Sequence, residues 1–572
     1  MLRPVLASVS LVALGLVGAA TATVTKPRAI PPDPGPPVAA PPQSVASTTT
    51  TTTTTTPATV TGTVPSTERV SAAPSTVVIS GHGWGHGVGL AQWGTLGFAR
   101  HGWAYDRILA HYYRGTTLER RPAPTVRVLL VEGAKRVRLA SESGWSVTDA
   151  RGAKVALEAG KLTLGAGLLV AGQTLSSPLT VNPGATPVSV RGKPYRGGLQ
   201  VFSNGKKLEV VNALGLEEYV RGVVGLEVPS NWPSEALKAQ AVVARSYALA
   251  SLSTDVSARA YDLFADTRSQ VYGGIEAESD PVTRAVDATA GQVVVFDGKV
   301  ATTYYSSSSG GRTTSAEEAF GKPVPYLVSV PDPYDTLSPY HDWGPVLFDA
   351  RKLGKALKVG AGLVSLDTIR DPSGHVTKVT AVGPAGEVSS DGASIRFLLG
   401  LRSTAFTVGF LALQPPAKVA FGADAQLDGT ARGVGAVTLE ARPKGRSWQT
   451  VGTVEPDARG AFTMLVRPEE TTQYRLAAGD LRAGLVTVPV EPVVEAAVAS
   501  GAVAGTVRPP LAGAPVQLQR RSGASWSTVA TATTDPSGSY AVSTSLAPGS
   551  YRVRFAPGGG LSPGVSPSLA VS

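Results

Sequence analysis

The chain has 572 residues, of which 42% are hydrophobic and 16% charged. This length predicts about three domains, and the apolar content is enough for packed cores, which excludes a wholly disordered protein. Cysteine is absent, which excludes disulfide scaffolds, cysteine-ligated zinc, iron–sulfur clusters and cysteine nucleophiles. The formal net charge of +10 favours a polyanionic partner, such as nucleic acid, anionic lipid or an anionic wall polymer.

The N-terminus predicts export. Arg3 precedes an apolar run over residues 5–20, and residues 20–22 (Ala-Thr-Ala) are typical of a cleavage site, so residues 1–22 are interpreted as a signal peptide. The run is shorter than the roughly 20 residues that a membrane span needs. If it were not cleaved, it would anchor the protein to the membrane. We therefore expect a secreted protein of the cell wall, with anionic wall polymers rather than nucleic acid as partners.

Residues 23–75 are predicted to be a disordered linker. Three Pro-Pro pairs occur between positions 31 and 42, and nine consecutive threonines occupy residues 48–56. A stretch of this composition cannot bury a core, and it favours extended, partly polyproline-like conformations. We interpret it as a tether that carries the folded domains away from the membrane.

Residues 76–413 have the pattern of a mixed α+β domain. Strands are expected at residues 125–132, 208–211, 292–296 and 302–306. The clearest helix is predicted over residues 233–252, where small and aliphatic residues recur at helical spacing after a proline start. Lys238 and Arg245 lie two turns apart on it and are expected on a shared polar edge. A second helix is predicted over residues 91–111.

Residues 414–492 and 493–572 repeat one pattern with a period of about 78 residues. The residues that recur are Leu439, Trp448, Gly460 and Tyr474, matched by Leu518, Trp526, Gly538 and Tyr551. Alternating apolar and polar residues between turn sequences predict two all-β modules of the immunoglobulin-like sandwich type. Their tryptophans and tyrosines are expected in the cores rather than as ligand platforms.

A glycine-rich segment, GHGWGHGVGLAQWG, occupies residues 81–94. Its six glycines allow the backbone to approach another group closely. His82 and His86 have the spacing of a metal pair, but no acidic partner is near and the stretch is a poor helix, so neither a metal nor another cofactor is predicted. Two interpretations stay open: a tight turn with a buried histidine, or a cleft wall at which His86 and Gln92 contact a substrate.

Glu227 is the candidate general acid. It follows Val-Val-Gly-Leu and precedes Val-Pro, and a carboxyl group among apolar residues has a raised pKa, which suits an acid at neutral pH. Glu217 and Glu218 lie in a more polar run and are expected to be solvated. The alternative for Glu227 is an ordinary helix-end cap or ion-pair partner.

Two more segments combine hydroxyl and amide groups with glycines, as a sugar-binding cleft requires. They are DTRSQVYGG at residues 266–274 and YYSSSSGGRT at residues 304–313. Ordinary turns have the same composition. A nucleophilic serine in the second segment is disfavoured, because no GxSxG sequence surrounds it and no His–Asp pair is evident.

Several of these segments together resemble the SpoIID/LytB family. Residues 81–116 are similar to its GHGxGxSQxGA…ILxHYYxGT signature, and residues 216–249, LEEYVRGVVGLEVPSNWPSEALKAQAVVARSYAL, are similar to its second signature. The 266–274 and 304–313 segments and SPYHDW also match, so the resemblance covers about residues 77–412. The glycine-rich block comes first here rather than near the end of the domain, which resembles a permuted arrangement.

The resemblance implies activity on peptidoglycan, because the family includes a lytic transglycosylase of peptide-stripped glycan strands. It places the catalytic glutamate at Glu227 and an important arginine at Arg245. The residues implied for substrate binding are Arg245, Lys238, Gln240, His86, Gln92, Asp266, Gln270, Tyr272, Ser308, Gly310, Gly311 and Tyr340.

The family also includes amidase enhancers, which leaves other functions open. The first alternative is a non-catalytic wall-binding enhancer of an N-acetylmuramoyl-L-alanine amidase, and the second is a surface adhesin that uses the β-sandwich modules. The expected partners are therefore peptidoglycan glycan strands, a cell-wall amidase and anionic wall polymers.

Overall fold

The protein is described here by a computed structural model that covers residues 75–252, 260–499 and 501–572. The predicted signal peptide, and all but the last residue of the predicted linker, lie outside the described residues. The described residues all belong to one compact unit. None of the helices in these ranges has both the length and the apolar character needed to cross a membrane.

Eight α-helices occur in the described ranges. They are Gln92–Arg100 (α1), Tyr105–Tyr112 (α2), Leu216–Glu227 (α3), Ser234–Ser251 (α4), Asp280–Ala288 (α5), Ala316–Phe320 (α6), Ala350–Ala356 (α7) and Gly392–Leu399 (α8). Short 3₁₀ turns lie at Gly274–Ala277 and Asp335–Leu337.

The strands before residue 420 include two-residue pairings as well as long strands. They are Ser75–His82 (β1), Leu90–Ala91 (β2), Thr117–Arg120 (β3), Thr125–Ala134 (β4), Arg136–Ser141 (β5), Trp145–Thr148 (β6), Lys154–Leu157 (β7), Gly160–Gly165 (β8), Leu169–Val170 (β9), Gln173–Thr174 (β10), Leu179–Asn182 (β11), Val188–Val190 (β12), Lys193–Tyr195 (β13), Gly198–Ser203 (β14), Leu208–Gly215 (β15), Leu263–Phe264 (β16), Gln292–Phe296 (β17), Lys299–Val300 (β18), Tyr305–Ser306 (β19), Asp342–Asp349 (β20), Ser365–Arg370 (β21), Val376–Gly383 (β22), Gly386–Asp391 (β23), Phe406–Gln414 (β24) and Val419–Ala420 (β25).

The strands after residue 420 form the repeated modules. They are Ala425–Arg432 (β26), Val437–Pro443 (β27), Gln449–Val454 (β28), Ala461–Val466 (β29), Thr472–Ala478 (β30), Leu481–Val488 (β31), Val490–Glu491 (β32), Val493–Ala499 (β33), Ala502–Arg508 (β34), Pro515–Ser522 (β35), Ser525–Thr533 (β36), Ser539–Ser543 (β37), Gly549–Phe555 (β38), Gly564–Val565 (β39) and Leu569–Val571 (β40).

The α+β part packs helices α3, α4 and α5 against a seven-stranded sheet of order β16-β4-β15-β14-β11-β6-β7. The apolar stripe predicted on α4 is buried in this core at Leu237, Ala241, Ala244 and Ala248. The predicted second helix is wrong as one element: it divides into α1 and α2. Gly102 between them has φ of 78°, a left-handed conformation that ends a helix and that glycine adopts without steric cost.

One sheet crosses the predicted domain boundary at residue 414. Its order is β20-β1-β24-β26-β29, so β24 of the α+β part pairs with β26 of the first module from Phe410–Arg432 to Gln414–Asp428. Leu411 and Leu413 of β24 are fully buried within the core of the first module. The boundary drawn between residues 413 and 414 therefore falls inside a continuous sheet with a shared core.

The two repeated modules are built from paired antiparallel sheets, which confirms an α+β domain followed by two β-sandwich modules. The first has a sheet of order β28-β27-β30-β31, and the second has sheets β33-β34-β37 and β36-β35-β38-β39. The repeated leucines and tyrosines are buried in the cores, and the repeated glycines have φ of 86° and 82° at turns.

The expectation of core tryptophans in the modules is wrong. Trp448 and Trp526 are only half-buried, and arginines two strands away in the same sheet stack on them. The guanidinium carbon of Arg475 lies 3.9 Å from the Trp448 ring centre, and that of Arg552 lies 4.3 Å from the Trp526 ring centre. Each tryptophan therefore forms a cation–π contact outside the core of its module.

The shared sheet leads to a prediction about truncation. A chain that ends at Gln414 should be much less stable than one that ends at Glu491, because it exposes Leu411, Leu413 and Val78, which all pack in the first module's core. The expected loss is roughly 1.5–3 kcal/mol for each exposed side chain. Thermal melting of the two fragments measures this, and equal melting temperatures would contradict the shared core.

Candidate functional site

Two glycine-containing segments dock against each other and shape the site. Strand β2 pairs in parallel with β19, Leu90 facing Tyr305, and Trp84 exchanges backbone hydrogen bonds with Ser308. A Cβ atom on Gly83 would lie only 2.7 Å from the Ser308 carbonyl oxygen, and one on Gly89 only 2.1 Å from the Tyr304 carbonyl oxygen. The glycines of the 81–94 segment thus allow direct contact between the two backbones.

Glu227 is the last residue of α3. The helix ends there because Val228 is extended, with φ of −139° and ψ of 148°, as expected for a residue that precedes proline. Gly222 and Gly225 lie three apart on the helix face that meets the 272–277 segment. A Cβ atom on Gly225 would lie 1.8 Å from the Ala277 carbonyl oxygen, so these small residues let the segment approach the end of α3.

The carboxyl group of Glu227 is held between elements that are distant in sequence. The side-chain amide of Gln92, at the start of α1, donates to Glu227 Oε2 at 3.1 Å. The other oxygen, Oε1, is buried and has no hydrogen-bond partner among the described residues. Burial raises the pKa of Glu227 above 4.5, and contacts with Tyr305, Gln92 and the Val271 backbone only partly oppose this.

A buried hydrogen-bond chain leads away from this carboxyl group. The Tyr219 hydroxyl donates to Gln270 Oε1 at 3.2 Å, and Gln270 Nε2 donates to the Tyr305 hydroxyl at 3.1 Å. Tyr305 in turn interacts with Glu227, and burial keeps its own pKa well above 10. Because the Tyr305 hydroxyl accepts from Gln270, its proton is available to the carboxylate. Gln270 is thus brought to the site, but it acts on Glu227 through Tyr305.

An aromatic pair lies beside the two residues of the Gln92–Glu227 contact. Trp93 follows Gln92 in α1, and Trp232 lies five residues after Glu227, with ring centres 5.4 Å apart. Both rings are half-buried, as expected of side chains at the edge of a cleft. Sequence reasoning selected neither tryptophan as a site residue, although both lie inside the segments quoted above, the 81–94 and 216–249 stretches. That position was the available signal.

The prediction that Arg245 contacts substrate from a polar helix edge is wrong. Its side chain is fully buried, and its guanidinium group donates to both Glu217 oxygens at 2.9 and 2.6 Å. It also donates to the Gln292 carbonyl oxygen at 3.0 Å. Glu217 is correspondingly an ion-pair partner rather than a solvated carboxylate, and Glu218 accepts from the Gly215 backbone at the start of α3. Arg245 therefore holds α4 to α3 and β17.

Four other residues predicted to bind substrate are held by structural partners, exposed at the surface or buried in the protein. Lys238 pairs with Glu235 at 2.7 Å, and the Tyr272 hydroxyl donates to Asn212 at 2.9 Å inside the core. Asp266 is exposed and pairs with Arg268. Gln240 is 1% exposed, and its amide has no hydrogen-bond partner within the described residues.

Ser308, Gly310 and Gly311 surround a buried acidic pair rather than Glu227. The Ser308 hydroxyl and the Gly310 backbone both donate to Asp335, and Ser309 donates to Asp332. Gly311 donates to the Ser309 hydroxyl. These residues therefore organise the 308–311 turn around two carboxylates.

The acidic pair and Tyr340 extend the same region. Burial and the neighbouring Asp335 raise the pKa of Asp332 to about 7, and sequence reasoning missed both residues because ordinary turn sequences surround them. Tyr340 packs edge-on against Trp84 at 4.2 Å between ring centres, with Arg402 stacked on both rings. Tyr340 thus lies beside the glycine-rich segment, away from the Glu227 contacts.

The two histidines of the glycine-rich segment have separate partners. His82 Nδ1 lies 2.6 Å from Asp342 Oδ1 at the surface, whereas His86 Nδ1 accepts the Val88 N–H at 3.0 Å. Burial lowers the pKa of His86 to about 3, so its ring is neutral at pH 7. In the described parts of the chain, three or more potential metal-ligating side chains nowhere come together.

A known protein family matches the part of the chain that carries Glu227. The family model SpoIID, described as stage II sporulation protein, matches residues 204–296. This range contains α3, α4 and Glu227.

The segment that carries Glu227 therefore resembles the SpoIID family.

Three relatives show how far this similarity extends. An uncharacterized protein of Brachyspira hyodysenteriae is 42% identical over 142 residues, which are 25% of this chain and 39% of that protein. The stage II sporulation protein D of Bacillus subtilis is 29% identical, over 39% of this chain and 65% of that protein. The amidase enhancer of Bacillus subtilis is 34% identical, over 20% of this chain and 15% of that protein. The chain thus spans less than two thirds of each of them.

Among solved structures, a two-domain fibronectin type III segment from chicken tenascin covers 28% of this chain and 99% of its own length. The identity is 12% and the TM-score 0.19. The sandwich assignment of the C-terminal modules therefore rests on their own strand pairing.

The Glu217–Arg245 pair yields a stability prediction. Glu217→Gln should lower the free energy of unfolding by about 3 kcal/mol, because it leaves the buried guanidinium group without its countercharge. The control is Arg268→Gln, which removes exposed ion pairs to Asp266 and Glu132 and should cost at most about 1 kcal/mol. Denaturant unfolding measures both. A Glu217→Gln variant as stable as the wild type would contradict the structural role of Arg245.

Proposed function

We propose that this protein acts on peptidoglycan as a lytic transglycosylase, with Glu227 as its single general acid and base. The observation that carries the proposal is the half-buried Glu227 side chain, with a raised pKa, a buried and unpartnered Oε1 and an amide donor from Gln92. None of the groups that shift its pKa is a second carboxylate. The match of residues 204–296 to the SpoIID family model and the similarity to the stage II sporulation protein D support this proposal, because the family resemblance implies activity on peptidoglycan.

The proposed reaction needs one carboxyl group. Protonated Glu227 donates its proton to the glycosidic oxygen between N-acetylmuramic acid and N-acetylglucosamine as the bond from that oxygen to muramic C1 breaks. The muramic C6 hydroxyl oxygen then bonds to C1, and the Glu227 carboxylate takes the hydroxyl proton. The products are a 1,6-anhydro end and a free sugar hydroxyl, and no water is consumed. Hydrolases that activate water need a second carboxylate.

The surroundings of Glu227 suit this exchange of protons. Burial favours the protonated carboxyl before reaction, while the Gln92 amide and the Tyr305 hydroxyl stabilise the carboxylate after it has given its proton away. The half-buried Trp93 and Trp232 rings offer flat apolar surfaces of the kind that pack against sugar rings. In this proposal they hold the glycan strand beside Glu227.

A non-catalytic role as an amidase enhancer is the second candidate. It is favoured by the similarity to a relative that is itself named an amidase enhancer. In that case Glu227 would be a structural residue of a glycan-binding site. An extracellular or cell-wall location fits both candidates, and both bring the protein to glycan strands.

Product analysis separates the two candidates. The full-length protein, incubated with whole and peptide-stripped glycan strands, should release fragments with 1,6-anhydro ends, detectable by mass spectrometry. Glu227→Gln removes the transferable proton but keeps the size of the side chain, and it should release none. Binding of glycan by both proteins with no cleavage by either would overturn the transglycosylase proposal and favour the enhancer.

The pH dependence of cleavage tests the Gln92 contact. Activity should fall as the pH rises through the raised pKa of Glu227, because the acid must start protonated. Gln92→Leu removes a donor that stabilises the carboxylate, so the pKa should rise further and the alkaline limb should move up by about one pH unit. Thr95→Val, on the same helix, serves as control, because its hydroxyl is not bonded to Glu227. An unmoved or lowered limb in Gln92→Leu would contradict this role.

A further inference from the structure

A cavity of about 200 Å³ lies beside the candidate site without including Glu227. It is enclosed by the glycine-rich segment, the 304–320 region and the segment that carries β22 and α8. Its polar lining includes Arg396, His86, His375, Thr404, Asp371 and Asp391. Its apolar walls include Tyr304, Phe320, Val376 and Phe397. The space suits a molecule smaller than drug-sized ligands, whose pockets have about 300–1,000 Å³.

Arg396 brings an uncompensated positive charge to this cavity. The residue is 4% exposed, and its Nε donates to the carbonyl oxygens of Leu401 at 3.4 Å and Arg402 at 3.1 Å. Its two terminal amino groups have neither a hydrogen-bond acceptor nor a carboxylate partner in the described ranges. Burial lowers the pKa of Arg396 to about 10. Buried charges in proteins are ordinarily paired, so this guanidinium group lacks an anion.

Two neutral imidazoles stand near the arginine. His375 is 4% exposed, its Nδ1 lies 2.8 Å from the Thr404 hydroxyl, and its Nε2 is buried without a partner. Burial and the nearby Arg396 lower the pKa values of His86 and His375 to about 3 and 4. Both rings are therefore uncharged at pH 7. His86 already interacts with the Tyr305 backbone and His375 Nε2 is buried, so the charge that faces the cavity comes from Arg396 alone.

The acidic residues of the lining are already committed to their own loops. Asp371 accepts the Thr314 hydroxyl at 2.6 Å, the Ser373 backbone and hydroxyl, and the His375 N–H at 2.8 Å. Asp391 caps the start of α8 through Ser394. Glu318 is exposed at the rim. None of the three forms an ion pair with Arg396.

We propose that this cavity binds a small monocarboxylate with an apolar body. The carboxylate pairs with the terminal amino groups of Arg396, while the apolar part packs between Tyr304, Phe320 and Phe397. A monoanion fits because one cationic group faces it. The carboxylate could come from the lactyl arm of N-acetylmuramic acid in a glycan strand, a source that rests on the proposed function, or from a free small acid.

Calorimetric titration of the full-length protein tests the site with three probes. N-acetylmuramic acid and N-acetylglucosamine differ by the lactyl ether alone, and lactate supplies that arm without the sugar. We expect N-acetylmuramic acid to bind and N-acetylglucosamine to bind much more weakly. Arg396→Gln should weaken carboxylate binding roughly ten- to a hundredfold, as for loss of a charged hydrogen bond.

Two further variants separate binding from folding. Ala393→Leu changes an exposed residue of the lining and narrows the cavity while keeping the hydrogen bonds of Arg396, so it should also weaken binding. Lys378→Gln removes an exposed positive charge from β22, outside the lining, and should bind like the wild type. Thermal melting checks that each variant is folded.

The outcomes identify the source of the carboxylate or overturn the site. Binding of lactate as well as N-acetylmuramic acid, or of lactate alone, supports a site for free acids, and binding of N-acetylmuramic acid alone supports the glycan source. Absence of binding by both, or equal affinities in wild type, Arg396→Gln and Ala393→Leu, overturns the proposal. Glu227→Gln should bind the probes normally, so failed cleavage and a failed cavity give different results.

Discussion

The candidate site depends on the contact between two glycine-containing backbones, residues 81–94 and residues 304–311. At Gly83, whose φ is 72°, no other residue would fit, because a side chain would meet the Ser308 carbonyl. Gly310 has the reciprocal constraint, since a Cβ atom there would lie 2.5 Å from His82 Cβ. This contact places Gln92, which follows β2, and Tyr305, which begins β19, around the same carboxyl group.

The same backbone contact explains how a segment early in the chain reaches a residue that lies much later in it. Gln92 precedes Glu227 by 135 residues, yet its amide reaches Glu227 Oε2. Pairing of β2 with β19 and packing of α1 against α4 bring the block to the end of α3 without a covalent neighbour. The glycine-rich block, which comes first in the domain, therefore still reaches Glu227.

Sequence patterns predicted local structure well and partners poorly. The strand over residues 292–296 has the predicted ends, and α4 departs from its predicted ends by one residue at each side. The apolar neighbours of Glu227 correctly indicated a raised pKa. Arg245 was misplaced because helical spacing says which residues share a face but not what the face meets. A guanidinium group can be fully buried when a carboxylate 28 residues earlier lies against it, and no local pattern encodes that pairing.

The same limit explains the domain boundary and the tryptophans. The Pro-Pro sequence at 415–416 marks a real interruption of β structure. However, β24, which ends just before it, pairs with β26 of the first module, and composition does not reveal this long-range pairing. The repeat correctly indicated equivalent positions in the two modules. It could not indicate that Trp448 and Trp526 face outward, since an aromatic residue that recurs in a strand pattern fits a core and a cation–π surface equally well.

Tyr305 connects the two polar sites of the α+β part. One side of this residue lines the cavity around Arg396, and its hydroxyl interacts with Glu227 while accepting from Gln270. The phenol is buried, and its raised pKa keeps it a proton donor at neutral pH. A shift of the ring toward the cavity would withdraw a donor from the carboxylate and raise the pKa of Glu227 further. Burial is the main influence on the acid strength of Glu227, and Tyr305, which the two glycine-containing backbones hold in place, is the largest of the contacts that oppose it.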